Sequence, residues 1–369
     1  MPSIADTPDS LTPAWLSAAL AETLGDVKVE SVDTAPVGTG QMCDTFRLIL
    51  TYAPGPDIRT DPPRSIIAKL PSADPISRAT ALSLGSYENE VRFYQQLAPR
   101  LDVRTPRVYY ADIEVETASF VLLLEDLSPA QPGDQLAGCS HADAVTAIDE
   151  LVGLHAPLWD DPSLKELPWL HRDRSGQQLF YLGLLPQLWD GFRERYAESL
   201  GPEVHEAGDQ LFAKLSDFIL GDTEPWTVVH GDYRLDNLLF AGSPAVSGSK
   251  PGEGTGASVT VLDWQTVTHG PALADVAYFI GAGLLLDDRR AHEGGLVRLY
   301  HDRLVAAGVQ GYGWDRCWHD YRRGTWSGLI MAIAASMLVE RTERGDEMFM
   351  VMAHRHARHA LDLDAATAI

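Results

Sequence analysis

The spacing of apolar residues changes near position 126 of this 369-residue chain. Before that position, apolar side chains alternate in short runs such as "FRLILTY", which is the period of a half-buried strand. From Ala142 onward they recur every three or four residues, as in a helix with one buried face. The sequence therefore predicts a two-lobed α+β fold, with a small, mainly β domain over residues 1–126 and a larger helical domain over residues 127–369. We expect a hinge at the junction and a cleft between the two lobes.

Local signals predict where individual elements begin and end. Thr12 has the character of an N-cap and Pro13 of a first helical residue, so a helix begins there. Apolar spacing predicts one helix over residues 79–101 and another over residues 203–220. Residues 241–258 are rich in Gly, Ser and Pro and have no apolar period, so we interpret them as a mobile insertion in a β-hairpin.

Composition disfavours several classes of protein. The formal net charge is −23, from 52 acidic and 29 basic residues, which argues against partners such as nucleic acid and anionic membranes. The acidic excess is either a solubilising surface or an attraction for a cationic substrate. No apolar stretch reaches the roughly 20 residues of a membrane helix, and no secretory leader is expected. Cys43, Cys139 and Cys317 form no CxxC pair, so we expect neither disulfides nor a zinc site, and we predict a cytoplasmic protein. The oligomeric state is left open.

Oxygen-bearing side chains cluster in two segments of the helical part, "VVHGDYRLDNLLF" and "VTVLDWQ". Both segments read as short strands ending in tight turns, and they contain Asp232, Asn237 and Asp263. Mg²⁺ prefers oxygen ligands and takes one or two of them from a protein, so Asn237 and Asp263 are candidate metal ligands. Asp232 is then available to orient an attacking hydroxyl and accept its proton. Phosphoryl transfer requires side chains that position the metal and the attacking hydroxyl in this way.

The β part contains residues that suit the phosphate end of the same reaction. Gly38 and Gly40, in "VGTGQMCDTF", let backbone N–H groups approach phosphate oxygens, although glycines more often mark hairpin turns. Lys69 lies inside the apolar run "IIAKL" and could neutralise phosphates, or it could be an edge-strand lysine with its charge in water. Glu90 on the following helix could hold Lys69 by an ion pair. The order of these parts along the chain is that of a kinase.

Several segments resemble the aminoglycoside phosphotransferase and choline kinase superfamily, which has a protein-kinase-like fold. The similar segments are "HGDYRLDNLLF", "VLDWQ" and "LLLEDL". "SYENEVRFYQQLAP" and "LVGLHAPLWDD" resemble the ecdysteroid-kinase-like (CHK kinase-like) branch in particular. The resemblance runs from about residue 37 to about residue 281. The His-Gly-Asp-x4-Asn segment followed by Asp-x-Gln is its most specific element.

The resemblance implies roles for the polar residues of the helical part. Asp232 would be the catalytic base, and Asn237 and Asp263 would bind one or two Mg²⁺ ions. Asp275, in "GPALADVAYFIG", would brace the catalytic loop by hydrogen bonds. His230 would be a buried structural histidine and would take no part in proton transfer.

The resemblance also implies how ATP would be held. Lys69 would contact the phosphates with Glu90 as its partner. The backbone of residues 124–127, through Glu125 and Leu127, would hold the edge of the adenine. The implied activity is transfer of the γ-phosphoryl group of ATP to a hydroxyl of a small organic molecule.

The sequence departs from the family pattern in ways that bear on the substrate. The glycine segment lacks a third glycine and continues with Gln41, Met42 and Cys43, so nucleotide binding could differ. Trp264 and Gln265 follow Asp263 in place of Phe and Gly, which argues against a protein substrate. Two alternatives stay open: a nucleotide-binding protein without turnover, and an aminoglycoside O-phosphotransferase. An acidic, open acceptor pocket would favour an aminoglycoside, and an apolar, closed one would favour an apolar alcohol.

Three histidines lie close together near the C-terminus, in "HRHARH". His356 and His359 could share one helix face, whereas His354 could not easily join them. A metal site is one interpretation, and a solvated helix end is the one that we expect.

Overall fold

The structure is a computed structural model, and it has the mixed α+β composition that the apolar spacing predicts. The chain divides into two compact units. The first unit contains Met1–Pro99, Thr105–Pro129 and Asp263–Gln265. The second contains Arg100–Arg104, Ala130–Leu262 and Thr266–Ile369. The residues that the structure describes are 2–38, 42–54, 62–170, 174–221, 223–241 and 258–369.

The first unit is built on a five-stranded antiparallel sheet, with the strands in the order β1-β2-β3-β5-β4. One face of the sheet packs against the first helix, α1 (Pro13–Leu24), and the shared core contains Leu16, Leu20 and Leu48. The central strand of the five carries Lys69, which pairs with Thr45 on one side and with Leu122 on the other. The strands are β1 (Val29–Pro36), β2 (Cys43–Tyr52), β3 (Ser65–Pro71), β4 (Val108–Glu114) and β5 (Ser119–Glu125).

Helix α1 begins where the sequence predicts. The Thr12 side chain accepts a hydrogen bond from the backbone N–H of Trp15, and Pro13 occupies the first helical position. Leu11 and Leu16 are both buried, as a hydrophobic staple requires.

The single helix predicted over residues 79–101 is wrong. The segment forms two helices, α2 (Pro75–Leu84) and α3 (Ser86–Arg92), followed by a π-helical turn over Phe93–Leu97. Gly85 separates the helices with a φ of 69°, a left-handed conformation that favours glycine and ends the first helix. Helix α3 carries Glu90, so the break at Gly85 sets the direction of the helix that positions Glu90.

The second unit is mainly helical, and its core lies between helices. Leu211, Phe192, Trp326 and Met352 belong to one buried apolar cluster that six α-helices share. The helices of the unit are α4 (His141–His155), α5 (Arg174–Arg195), α6 (Pro202–Ala213), α7 (Leu215–Leu220), α8 (Leu273–Gly283), α9 (Leu286–Ala306), α10 (Trp314–Leu338) and α11 (Glu343–Asp362).

The continuous helix predicted over residues 203–220 is also wrong. It is interrupted at Lys214, whose φ of −118° and ψ of 15° lie outside the helical region. The Lys214 ammonium donates to the backbone oxygen of Ala366, so a contact that is distant in sequence accompanies the break. The apolar period continues across the break, and for this reason the spacing alone did not reveal it.

Short strands complete the second unit. They are β6 (Gln131–Pro132), β7 (Thr227–Val229), β8 (Leu238–Ala241), β9 (Ser258–Val261) and β10 (Thr268–Gly270). β7 pairs with β10, and β8 lies between β6 and β9. In the hairpin of β8 and β9, Ala241 pairs with Ser258. The predicted insertion over residues 241–258 falls between these strands, and residues 242–257 lie outside the described part of the chain. Among the described residues, every helix is too short or too polar to cross a membrane.

Candidate active site

Three predicted residues of the first unit form one charged group. The Lys69 ammonium lies 2.6 Å from Glu90 Oε1 and 3.2 Å from Asp263 Oδ1. Lys69 points from the central strand β3, Glu90 from helix α3, and Asp263 from the segment after β9. Glu90 is fully buried, whereas the Asp263 side chain is 37% exposed. Of the two glutamates on this helix, Glu90 is the one that pairs with Lys69, as the sequence interpretation proposed.

The charge of Lys69 is stabilised by these carboxylates. Burial by itself would lower the pKa of Lys69, but the charges of Asp263 and Glu90 outweigh it and raise the pKa well above 10.5. Lys69 is therefore a cation throughout the neutral range. One cation between two carboxylates leaves the group with a formal charge of −1. Such a charge favours an added divalent cation over a bare anion.

The backbone at Asp263 is strained. Its φ is 64°, in the left-handed region that non-glycine residues seldom adopt. Strain of this kind costs on the order of 1–3 kcal/mol and is concentrated at functional sites. Asp263 holds this conformation beside Trp264, whose ring stacks on Phe93 at 3.7 Å between ring centroids.

The glycine segment is described only in part. Gly38 has a φ of 76°, and a side chain at this position would meet open space, so the conformation alone explains the glycine. Gly40 and Gln41 lie outside the described residues. Cys43 begins β2 and is buried, and its sulfur accepts from the Gln265 side chain at 3.3 Å. Burial raises the pKa of the Cys43 thiol to about 11, so it stays protonated.

The predicted adenine contacts lie at the end of β5. Glu125 is the last residue of this strand, and its backbone N–H donates to the Arg107 oxygen at 2.8 Å. Leu127 lies two residues beyond the strand and is half-buried. Between them, Asp126 is held by Arg47 at 2.7 Å and by Ser65 at 2.7 Å. Burial opposes its charge, but these donors hold the pKa of Asp126 below its ordinary value.

In the second unit, the segment after β7 makes a turn that requires glycine. Gly231 has a φ of 81°, and a Cβ built on it would lie 2.7 Å from the Thr266 backbone oxygen. His230, the residue before it, is fully buried. The His230 ring contacts the Leu262 oxygen through Nε2 at 2.8 Å and accepts from the Asp232 backbone N–H through Nδ1 at 3.2 Å. Both ring nitrogens are therefore engaged in holding the loop.

Asp275 braces the same turn from helix α8. Its carboxylate accepts from the backbone N–H of His230 at 2.6 Å and from that of Gly231 at 2.9 Å. His155 lies 3.3 Å from the same carboxylate and 2.8 Å from the Tyr300 hydroxyl. The bracing role that the sequence assigns to Asp275 corresponds to these two backbone bonds.

Among the described residues, three side chains donate hydrogen bonds to the Asp232 carboxylate. The Tyr278 hydroxyl donates to Oδ1 at 2.7 Å, while Arg234 Nε and Asn237 Nδ2 each donate to Oδ2 at 3.0 Å. Burial works against the charge of Arg234, but Asp232 and Asp236 raise its pKa above the ordinary value. Tyr278 and Arg234 were missed by sequence reasoning. Arg234 could have been suspected because it lies inside the motif, whereas Tyr278 gives no signal in the sequence.

The oxygen-bearing groups at Asn237 are compatible with the binding of Mg²⁺. The Asn237 amide nitrogen donates to the backbone oxygen and the carboxylate of Asp232, so its Oδ1 lies on the opposite side of the amide group. The Leu262 backbone N–H donates to the Asn237 backbone oxygen at 2.9 Å, and Asp263 is the next residue along the chain. Carboxylate and amide oxygens are the ligands that Mg²⁺ prefers. Among the described residues, no group of three or more His, Cys, Asp and Glu side chains could hold a metal.

Two surface clefts lie elsewhere in the second unit. The larger has a volume of about 770 Å³ and is lined by residues such as Trp159, Glu224 and Tyr312. The smaller, of about 300 Å³, includes Trp226 and His269. None of the predicted site residues lines either cleft.

The predicted solvated helix end at the C-terminus is wrong. His356 and His359 of helix α11 are fully buried, and only His354 reaches the surface, where it contacts Glu203 at 3.1 Å. His359 lies 2.9 Å from the Tyr321 hydroxyl. The arginines between these histidines made the segment look exposed in the sequence.

Comparison with known proteins gives one family match. Residues 58–323 match the sequence profile described as "Phosphotransferase enzyme family". No protein of curated function matches the chain.

The solved structures that are similar to this chain include three with a TM-score of 0.50 each. A microcompartment-associated aminopropanol kinase is 14% identical, over 95% of this chain and 99% of that one. An ethanolamine kinase from Plasmodium vivax is 10% identical, over 92% and 84%. The GDP complex of aminoglycoside 2'-phosphotransferase-IIIa is 11% identical, over 94% and 99%. At such identities the likeness shows the fold alone, and it confirms the predicted protein-kinase-like α+β fold.

Proposed function

Because the chain belongs to the phosphotransferase enzyme family, we propose that it is a small-molecule kinase that depends on ATP and Mg²⁺. It transfers the γ-phosphoryl group of ATP to a hydroxyl of an organic acceptor. The observation that carries this proposal is the Asp232 carboxylate, which two donors of its own loop and one donor of helix α8 hold in place. A carboxylate fixed in this way suits the orientation of a hydroxyl nucleophile.

Asp232 acts on the acceptor. Its carboxylate orients the acceptor hydroxyl and takes the proton as the acceptor oxygen bonds to the γ-phosphorus. The bond between that phosphorus and the oxygen of ADP breaks, and the proton then leaves Asp232 for water. Arg234 Nε donates to the Asp232 carboxylate at 3.0 Å and so helps to hold it toward the acceptor.

Lys69 acts on the nucleotide. Its ammonium is a cation held between Glu90 and Asp263, and it neutralises charge on the phosphate oxygens. Glu125 and Leu127 hold the edge of the adenine through the backbone. Gly38 and Gly40 admit the phosphates close to the main chain.

Asn237 and Asp263 are the residues that would hold Mg²⁺. The ion would offset the negative charge of the phosphate oxygens. Asn237 is fixed by its bonds to Asp232, so the ligand and the base keep a constant separation.

The acceptor is a small molecule that carries a hydroxyl. The names of the similar structures include kinases of aminopropanol and ethanolamine, which are amino alcohols, and a phosphotransferase of aminoglycosides. The segments "SYENEVRFYQQLAP" and "LVGLHAPLWDD" favour the ecdysteroid-kinase-like branch instead. A panel of acceptors should therefore contain amino alcohols, aminoglycosides, sterols and aliphatic alcohols.

Calorimetry of nucleotide binding tests the proposal without a known acceptor. We expect the native protein to bind ATP more tightly with Mg²⁺ than without it. Asp263→Ala should lose that Mg²⁺ dependence, and Asp232→Ala should bind Mg²⁺–ATP as the native protein does. Native protein that binds neither Mg²⁺–ATP nor Mg²⁺–GTP would contradict the proposal. A phosphorylation screen of the acceptor panel then follows, with Asp232→Asn as the inactive control.

A further inference from the structure

Two residues of helix α8 form hydrogen bonds with the loop that carries Asp232. Asp275 accepts from the loop backbone at His230 and Gly231, and Tyr278, one turn later, donates to the Asp232 carboxylate at 2.7 Å. Residues three apart on a helix lie on the same face, so both contacts come from one surface of α8. Asp275 fixes the path of the backbone, and Tyr278 acts on the side chain.

The three donors to Asp232 differ in where they come from. Arg234 and Asn237 lie two and five residues from Asp232, so they move with the loop. Tyr278 lies 46 residues away on a buried helix. Among the donors that the described residues supply, Tyr278 is therefore the one that ties the carboxylate to the helical core.

The Tyr278 ring is itself held firmly. It is 3% exposed and stacks on the His356 ring at 5.3 Å between centroids. A Cβ built on Gly328 would lie 2.1 Å from the His356 ring, so that ring rests directly on the backbone of α10. Helices α8, α10 and α11 thus fix the position of the Tyr278 hydroxyl together.

The hydroxyl can act only as a donor toward Asp232. Burial, and then the charge of Asp232, raise the pKa of Tyr278 well above 10. The proton therefore stays on Tyr278 while the carboxylate accepts. A neutral donor of this kind fixes a carboxylate without removing its charge.

We propose that Tyr278 is a positioning residue, whose hydroxyl sets the orientation of the Asp232 carboxylate toward the acceptor. The inference rests on the proposed function of Asp232 as the group that receives the acceptor's proton. The Tyr278 bond occupies Oδ1 and restricts rotation of the carboxyl group about its bond to Cβ. Loss of that restraint misaligns the base in the reactive complex and leaves the nucleotide contacts of the first unit unchanged.

The test compares Tyr278→Phe with Tyr196→Phe. Tyr196 is a matched control, because its hydroxyl also donates to a carboxylate, that of Asp346, at 2.6 Å. Turnover is measured as ADP formed from Mg²⁺–ATP across the acceptor panel, and nucleotide affinity by calorimetry. We expect Tyr278→Phe to lower kcat by about 10- to 100-fold with an unchanged KM for ATP. Tyr196→Phe should keep the native kcat.

The outcomes separate this inference from the proposed function. If Asp232→Asn abolishes turnover while Tyr278→Phe keeps the native kcat, the inference is overturned and the kinase proposal stands. If Asp232→Asn turns over as the native protein does, or if the native protein forms no ADP, the kinase proposal fails and the inference fails with it.

A spectroscopic measurement tests the contact without turnover. In protein labelled with ¹³Cζ-tyrosine, the Tyr278 signal is the one missing from the spectrum of Tyr278→Phe. Asp232→Asn should shift this signal, because a neutral amide oxygen is a weaker acceptor than a carboxylate. The Tyr196 signal should stay in place. A Tyr278 signal that does not move in Asp232→Asn would overturn the inference.

Discussion

The two groups of site residues are held by different kinds of interaction. In the first unit, Lys69 is fixed by the charges of Glu90 and Asp263, which lie within 3.2 Å. In the second unit, Asp232 is fixed mainly by the direction of hydrogen bonds, including one from the neutral Tyr278. The charges of the first group stay balanced only when every member is present. Loss of any one member therefore affects folding as well as chemistry. In the second group, a single hydrogen-bond donor can be removed by substitution without upsetting a balance of charges.

The comparison predicts the largest loss of stability for Lys69→Met. Removing the ammonium leaves the fully buried Glu90 without its partner, which costs about 3–5 kcal/mol. Lys165→Met is the control, since Lys165 and Glu224 form an ion pair with both side chains about half exposed. That change should cost at most about 1 kcal/mol. Urea unfolding of both variants measures the difference.

Removing both Lys69 and Glu90 tests whether the loss of stability comes from an unpaired buried charge. Lys69→Met combined with Glu90→Leu should be more stable than Lys69→Met alone, because no buried charge is left uncompensated. The double variant should still lose Mg²⁺–ATP affinity. If the double variant is as unstable as the single one, the cost does not come from the charge of Glu90.

The turn before Asp232 predicts a smaller loss. Gly231→Ala should destabilise the protein by about 2–3 kcal/mol, since it adds a Cβ 2.7 Å from the Thr266 oxygen to a left-handed backbone. Gly311 has a similar φ of 75° and open space around it. Gly311→Ala should therefore cost only about 1 kcal/mol. Equal losses in thermal unfolding would show that the approach of Thr266 contributes nothing.

The buried His356 predicts the smallest effect on stability, and this effect depends on pH. Burial holds the pKa of His356 well below 6.5, whereas the unfolded chain takes up a proton near pH 6.5. Stability from this group is therefore complete above about pH 6.5 and is lost as the pH falls below it. His356→Gln should reduce that loss by up to about 1.4 kcal/mol per pH unit. Urea unfolding of the native protein and of His356→Gln at several pH values measures the difference.

The sequence indicates candidate residues most readily where their order along the chain follows that of a known fold. Lys69, Glu90 and Asp232 could be selected because strand, helix and loop follow one another in the order of a kinase. Tyr278 could not be selected, because its contact with Asp232 depends on how α8 packs against the loop. Nothing in the sequence of an apolar helix distinguishes a core tyrosine from one that touches a catalytic group.

The wrong helix predictions have a common cause. The apolar period continues through Gly85 and Lys214, so the spacing predicts helices that span both positions. The backbone leaves the helical region at each residue, with a positive φ at Gly85. The glycine was a signal that could have been used, because glycine commonly ends a helix. Lys214 carries no such signal.

The hairpin of β8 and β9 makes the chain suitable for labelling. Ala241 and Ser258 pair directly, so the ladder fixes the register of the two strands. Asn237 and Leu262 are joined by a backbone bond on the far side of the same ladder. An epitope or a fluorophore attachment site placed within residues 242–257 would therefore leave the register of the motif residues intact. Immobilisation through that position would allow acceptors to be screened by surface methods.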